Sequence, residues 1–284
     1  MASRIFSTVL LWVVIGTSLW FFGVHAAIAL LTLLAALTLH EFYSLTEGMG
    51  FKPFRGLGLA FGVLMIAAPY YVTEYLTDGE EFAGLVPGLL ALSAVFFSAG
   101  ILSARDNSNR IETLVTSLLG LLYVPFMLHY LVRLILLYSE PSVGLALALW
   151  VVAVSKFCDV GALLTGLAFG RHKMSPNISP KKTWEGAIGG VFVSAGLGSA
   201  IAYYAQDFLP EMLNPVTGAL VGAILGITTI VSDLIESAMK RRANLKDTGK
   251  LIPGIGGAFD LTDRLILTAP VAYFIFSIFS LLDR

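Results

Sequence analysis

The sequence predicts an all-α fold: a polytopic membrane helical bundle of about nine transmembrane helices with its N-terminus in the cytoplasm. Three observations predict it. The 284 residues are 57% hydrophobic and the mean hydropathy is +0.83. Only 13% are charged, about half the share of a soluble domain. The charges that exist gather in the connections between long apolar runs, with basic and acidic connections alternating.

The runs lie near residues 5–22, 24–45, 56–76, 83–103, 112–138, 143–170, 186–206, 215–236 and 264–282. Each is close to the ~20 residues that a helix needs to cross a bilayer, and too continuous for a barrel strand. Arg4 before the first run, with Ala26 and Ala27 beyond it, imitates a signal peptide. At about 18 residues the run is long enough to span and is followed at once by another, which disfavours cleavage. Only Gly23 marks a turn between the first two runs.

Basic residues follow the even-numbered runs: Lys52 and Arg55; Arg105 and Arg110; Arg171, Lys173, Lys181 and Lys182; then Lys240, Arg241, Arg242, Lys246 and Lys250. The opposite connections carry Glu74, Asp78, Glu80 and Glu81, then Glu140, then Asp207 and Glu211, with Arg133 the main exception. The positive-inside rule puts the N-terminus and the basic loops in the cytoplasm, and nine crossings put the C-terminus outside. A single membrane domain, 1–284, is expected, with N-terminal helices over 1–140 and a chemically denser half over 141–284. The lone Cys158 excludes an intrachain disulfide.

The densest chemistry lies in residues 232–264. Asp233, Glu236, Ser237 and Lys240 fall at i, i+3, i+4 and i+7, one face of a helix. Asp260, Asp263 and Arg264 repeat the spacing at the start of the last run. Carboxylates at two helix ends suit a hard divalent cation, which binds oxygen ligands together with substrate phosphates. Gly254, Gly256 and Gly257 let backbone approach a phosphate closely. A solvated loop would account for the Lys and Arg, but not for carboxylates at helical spacing beside a double glycine.

A second constellation occupies residues 169–186. Ser179 before Pro180 reads as a helix N-cap with proline at the first position. Lys181, Lys182 and Thr183 would then fill the first turn, where free N–H groups favour anions, and Glu185 adds a carboxylate. A positive-inside anchor fits this loop equally well. Asp159 lies within the sixth run, one turn after Lys156; buried ionisable groups in a bilayer are functional or paired. His40 and Glu41 read as interfacial. His25, His129 and His172 lack ligand spacing, no nucleophile–histidine pair is visible, and there is no Walker loop.

These residues resemble the phosphatidate cytidylyltransferases (CDP-diglyceride synthetases). The family's C-terminal signature is matched by Ser237, Lys240, Arg241, Lys246, Asp247, Pro253, Gly254, Gly256, Gly257, Asp260 and Asp263, preceded by Asp233 and Glu236. The upstream motif is matched by Asp159, Gly170 and the run Ser179, Pro180, Lys181, Lys182, Thr183, Trp184, Glu185, Gly186. Together they cover roughly residues 155–270. Two positions depart: Ile255 stands for the turn histidine, and Leu261 for the arginine after the first aspartate. Arg264, one turn beyond Leu261, is a candidate to supply a guanidinium instead.

The resemblance implies that CTP and phosphatidate give CDP-diacylglycerol and pyrophosphate, a step of phospholipid biosynthesis. It implies catalytic roles for Asp233, Lys240, Lys246, Asp247, Asp260 and Asp263. Mg2+, with a second cation as an option, would be held by Asp233, Asp260 and Asp263. Substrate contacts would come from Asp159, Ser179, Lys181, Lys182, Thr183, Glu185, Ser237, Arg241, Gly256 and Gly257. The expected partners are CTP, phosphatidate and membrane lipids, without nucleic acid, with a homodimer as an option. The expected location is a bacterial-type inner membrane with the site facing the cytoplasm. The rival readings are transfer to another lipid phosphate, a non-catalytic relative, and a transporter.

Overall fold

The computed structural model describes residues 2–76, 83–103, 110–245, 248–249 and 256–282, with side chains from residue 13 onward apart from that of Ser103. Among the described residues nine α-helices run in order: α1 (Ala2–Gly48), α2 (Arg55–Tyr75), α3 (Leu85–Ser103), α4 (Arg110–Tyr123), α5 (Pro125–Leu136), α6 (Pro141–Phe169), α7 (Trp184–Tyr204), α8 (Pro215–Arg242) and α9 (Ala258–Leu282). A two-stranded antiparallel hairpin, β1 (Lys173–Ser175) and β2 (Ser179–Thr183), stands between α6 and α7. Large apolar side chains are exposed along the helices, among them Leu167 on α6 and Phe192 on α7, as expected of surfaces solvated by lipid rather than water. The protein is an integral membrane protein built of helices.

The expected count of nine crossings is not confirmed. Eight stretches of the described residues are long and apolar enough to span, and the first of them, Val13–Gly48, includes a kink at Gly23. A 47-residue helix would reach ~70 Å, more than twice the ~30 Å of a hydrocarbon core. Its one non-helical residue is Gly23, at φ 53 and ψ −127, a conformation that glycine adopts without steric cost. The fifth run is one candidate span, Arg110–Leu136, as expected, but it is built of two helices, because Pro125 has no N–H to continue the ladder and instead opens α5 at its first position.

The chain divides into two compact units, residues 1–132 with 242–262, and residues 133–241 with 263–284. In the first, Tyr43 of α1 lies against Gly58 of α2 and Gly120 of α4, where any Cβ would overlap its ring. Its hydroxyl donates to the carbonyl of Ser117 at 2.8 Å. Phe42, Tyr123 and Phe259 form an aromatic cluster, with the Phe42 and Phe259 rings edge to face at 6.0 Å. Thr38 and Thr262, both buried, share a hydrogen bond of 3.0 Å.

In the second unit α6, α7 and α8 meet through small residues. Gly186, Gly190, Ser194, Gly198 and Ala202 recur every fourth position on α7 and are buried, as are Gly218, Gly222 and Gly226 on α8. Lipid supplies no hydrophobic drive between helices, so close backbone approach and dispersion hold them. A Cβ at Gly190 would come within 2.8 Å of the Cys158 carbonyl on α6, and one at Gly222 within 2.6 Å of the Ser194 carbonyl. Gly222→Leu is therefore expected to abolish accumulation of folded protein in the membrane, measured by fluorescence size-exclusion of a tagged form, whereas Gly196→Leu, at a position facing open space, is tolerated. This packing fixes the backbones from which the charged residues project.

Candidate active site

The charged residues of the second unit converge on four carboxylates. Helical spacing puts Asp233, Glu236 and Lys240 on one face of α8, and α9 contributes Asp263 and Arg264. One carboxylate oxygen each from Asp233, Glu236 and Asp263 lies within 4.8 Å of the others. Glu236 and Asp263 are buried, at 1% and 2% exposure. The Ser232 hydroxyl donates to the Asp263 carbonyl and so ties α8 to α9 at this level.

Charges this deep in a bilayer protein need partners. Lys182 of β2 reaches Asp233 Oδ2 at 2.6 Å, and Lys240 reaches Glu236 Oε1 at 2.6 Å. The Arg264 guanidinium contacts Asp263 Oδ1 at 3.0 Å through Nη1, Asp233 Oδ2 at 3.9 Å through Nη2, and Asp159 Oδ2 of α6 through Nε. Lys156 interacts electrostatically with Asp263, Asp159 and Asp233. The donor set fits a hard divalent cation, because all three candidate ligand groups are carboxylates.

The expected metal trio was Asp233, Asp260 and Asp263; the gathered trio has Glu236 as its third member. Asp260 belongs to the first unit. There its Oδ2 accepts from Gly257 N at 2.8 Å and from the Thr248 hydroxyl at 3.2 Å, closing the first turn of α9 as the third residue of a capping box does. Gly256 sits at φ +119, where a Cβ would come within 2.8 Å of that same oxygen. Ser237 is half-buried on α8. Lys246, Asp247, Pro253, Gly254 and Ile255 lie outside the described residues.

The second constellation is corrected in its local structure. Ser179 does not cap a helix and Lys181–Thr183 are not a helical turn; residues 179–183 form β2, with Ser179 opposite Ser175 and Thr183 opposite Lys173. The N-cap of α7 is Thr183, extended at φ −124 and ψ 154, whose side chain accepts from Gly186 N. A β-branched residue suits that extended backbone, and Pro180 is tolerated in a two-stranded ribbon, where both strands are edges. Alternation along β2 follows: Lys182 turns to Asp233 while Lys181 is exposed. Arg241 Nε donates to the Ile178 carbonyl at 3.1 Å, tying the hairpin to α8.

Glu185 accepts from Arg171 N at 3.1 Å and from His172 N at 3.2 Å, and its other oxygen pairs with His172 Nδ1 at 2.6 Å. It thereby shapes an open basin of about 900 Å³ lined by Arg171, His172, Lys173, Trp184, Glu185 and Ile188.

Glu41 reads as interfacial from the sequence, and the structure gives it a specific place. The structure holds its carboxylate at the mouth of α9, accepting from Phe259 N at 2.9 Å and from the Thr248 hydroxyl at 3.1 Å. The available signal was an ionisable residue at the end of an apolar run, where a carboxylate needs a specific partner.

Helices long enough to span, carrying a carboxylate trio interleaved with Lys and Arg, define a polytopic membrane protein with a site suited to phosphate and a divalent cation. The chain belongs to the cytidylyltransferase family, which it matches over residues 2–279. It is 33% identical over 278 residues to a phosphatidate cytidylyltransferase of Synechocystis sp., covering 90% of this chain and 88% of that protein. A phosphatidate cytidylyltransferase of Thermotoga maritima is 33% identical over 219 residues, 77% of this chain and 78% of its own. One from Rickettsia bellii is 37% identical over 161 residues, 56% of this chain and 68% of its own.

Proposed function

We propose that this chain transfers the cytidylyl group of CTP to phosphatidate at the cytoplasmic face of a bacterial inner membrane, giving CDP-diacylglycerol and pyrophosphate. The observation that carries the reading is the Asp233, Glu236 and Asp263 trio with Lys182, Lys240 and Arg264 around it, in a chain matched to the family over nearly its whole length. Basic connections on one side and acidic ones on the other support the orientation.

The chemistry is an in-line displacement. A phosphate oxygen of the lipid forms a bond to the α-phosphorus of CTP as the bond from that phosphorus to the pyrophosphate oxygen breaks. Such transfers depend on positioning and charge neutralisation more than on covalent catalysis. Lys182 and Lys240, each steadied by a carboxylate, orient and neutralise the triphosphate, with Arg241 at the end of α8 as a further contact. Arg264 sets the spacing of Asp159, Asp233 and Asp263. Mg2+ held by Asp233, Glu236 and Asp263 supplies charge neutralisation at the nucleotide phosphates when bound.

The basin beside β1 suits the lipid headgroup. Arg171 and Lys173 offer cations to a phosphomonoester, and Trp184 and Ile188, each more than half exposed, offer apolar surface to the chains below it. Arg171→Ala is expected to raise KM for phosphatidate about tenfold, the worth of one charge-assisted hydrogen bond, with KM for CTP within twofold of wild type.

The test is to incubate the purified protein with radiolabelled CTP, Mg2+ and a panel of lipid phosphates. A labelled lipid from phosphatidate supports the reading; product only from an isoprenoid-ether analogue moves the acceptor to another lipid phosphate. Nucleotide binding without any lipid product would leave a non-catalytic relative, and neither binding nor product would sink the enzyme altogether.

A further inference from the structure

The first turn of α9 has backbone N–H groups with no partner inside the helix. Its N-cap is Gly257, which has no side chain to supply one. Asp260 satisfies Gly257 N from within the turn, and Phe259 N donates to Glu41, 218 residues away in sequence at the end of α1. The same Glu41 oxygen takes the Thr248 hydroxyl, which also lies 3.2 Å from Asp260. Gly249 and Gly257 flank this carboxylate, and a Cβ at either would overlap it. Glycine is needed at both because the carboxylate fills the space a side chain would take. A merely interfacial glutamate explains neither the amide contact nor the paired glycines.

We propose that Glu41 is a positioning residue for the transfer reaction: it replaces the missing N-cap side chain of α9 and fixes the first turn of the helix that carries Asp263 and Arg264. An acidic group here also complements the positive end of the helix dipole. The kinetic part of the inference rests on the cytidylyl-transfer reading; the structural part does not.

The experiment uses full-length protein in nanodiscs. Glu41→Ala is expected to speed amide exchange in peptides covering residues 256–262 about tenfold, as loss of a cap frays a helix end, while α6 peptides are unchanged. Turnover per folded molecule falls roughly thirtyfold with KM for CTP within threefold, because the turn is displaced rather than a contact to CTP removed. Gly249→Ala, which crowds the carboxylate, lowers turnover about tenfold in wild type and has no further effect in Glu41→Ala. Should Glu41→Ala fail to fold, Glu41→Asp, which withdraws the carboxylate by one methylene, is expected to restore part of what Gly249→Ala loses. Unchanged exchange and turnover in Glu41→Ala, or no relief of Gly249→Ala in either background, overturns the proposal. Absence of CDP-lipid from the wild-type protein, together with the exchange change in Glu41→Ala, counts against the reaction and leaves the cap standing.

Discussion

Asp263→Asn is expected to lower turnover of CTP by about a hundredfold to a thousandfold, the scale on which one preorganised electrostatic group acts in a water-poor site. Asp263 is 2% exposed and belongs to the carboxylate trio, and its Oδ1 receives both the Arg264 backbone N–H at 2.7 Å and Arg264 Nη1 at 3.0 Å. Asparagine keeps the size and one acceptor oxygen, so the helix turn and the Ser232 contact to the main chain survive. What is lost is one negative charge among the carboxylates proposed to hold a divalent cation. The Mg2+ concentration for half-maximal turnover should therefore rise severalfold, while the thermal midpoint of the detergent-solubilised protein moves by only a few degrees. A variant that turns over within threefold of wild type across the Mg2+ titration removes Asp263 from the metal site.

Much of this site was legible because helices write their contacts at fixed spacing. Asp233, Glu236 and Lys240 could be placed on one face of α8 from three- and four-residue intervals alone, and Asp159 stood out as an ionisable residue inside an apolar run. The partner of Asp260 was not legible. The intervals say that Asp260 and Asp263 share a face of α9, but not that Asp260 is held by the amide of Gly257. That depends on which helix-start donors lack other partners. The hairpin was misread for a related reason: Ser179 and Pro180 carry good local helix-start chemistry, yet pairing with β1 moves the real cap to Thr183. Pairing partners are a tertiary property, and a local signal cannot outvote them. Glu41 was hidden most deeply, since its role is fixed by Thr248, Gly249, Gly257 and Phe259, more than two hundred positions along the chain. Even the count of crossings turns on one residue, Gly23, where a non-helical backbone kinks α1 between two helical stretches.

Arg264→Ala is expected to cost both stability and activity, and the two losses should be separable. From the sequence, this guanidinium is a candidate to replace the one missing at Leu261. Its surroundings give it another task as well, because it contacts Asp159, Asp233 and Asp263 at once. Removing one member of a buried ionic group strands the others and costs about 3–5 kcal/mol, so the thermal midpoint should fall clearly even with substrate absent. Turnover should fall at least about a hundredfold, since the carboxylates that it spaces repel one another once it is gone. Lysine at 264 restores a positive charge but not the planar fork, and is expected to recover stability better than turnover. The decisive comparison is Arg264→Ala combined with Asp159→Asn. If the arginine acts by compensating Asp159, neutralising that aspartate recovers a substantial part of the lost stability, a coupling well above the ~0.5 kcal/mol at which independent sites add. If instead it acts on CTP alone, the double variant gains no stability over Arg264→Ala, and its KM for CTP stays raised. Wild-type use of CTP by Arg264→Ala would exclude both roles and return the phosphate contacts to Lys182, Lys240 and Arg241.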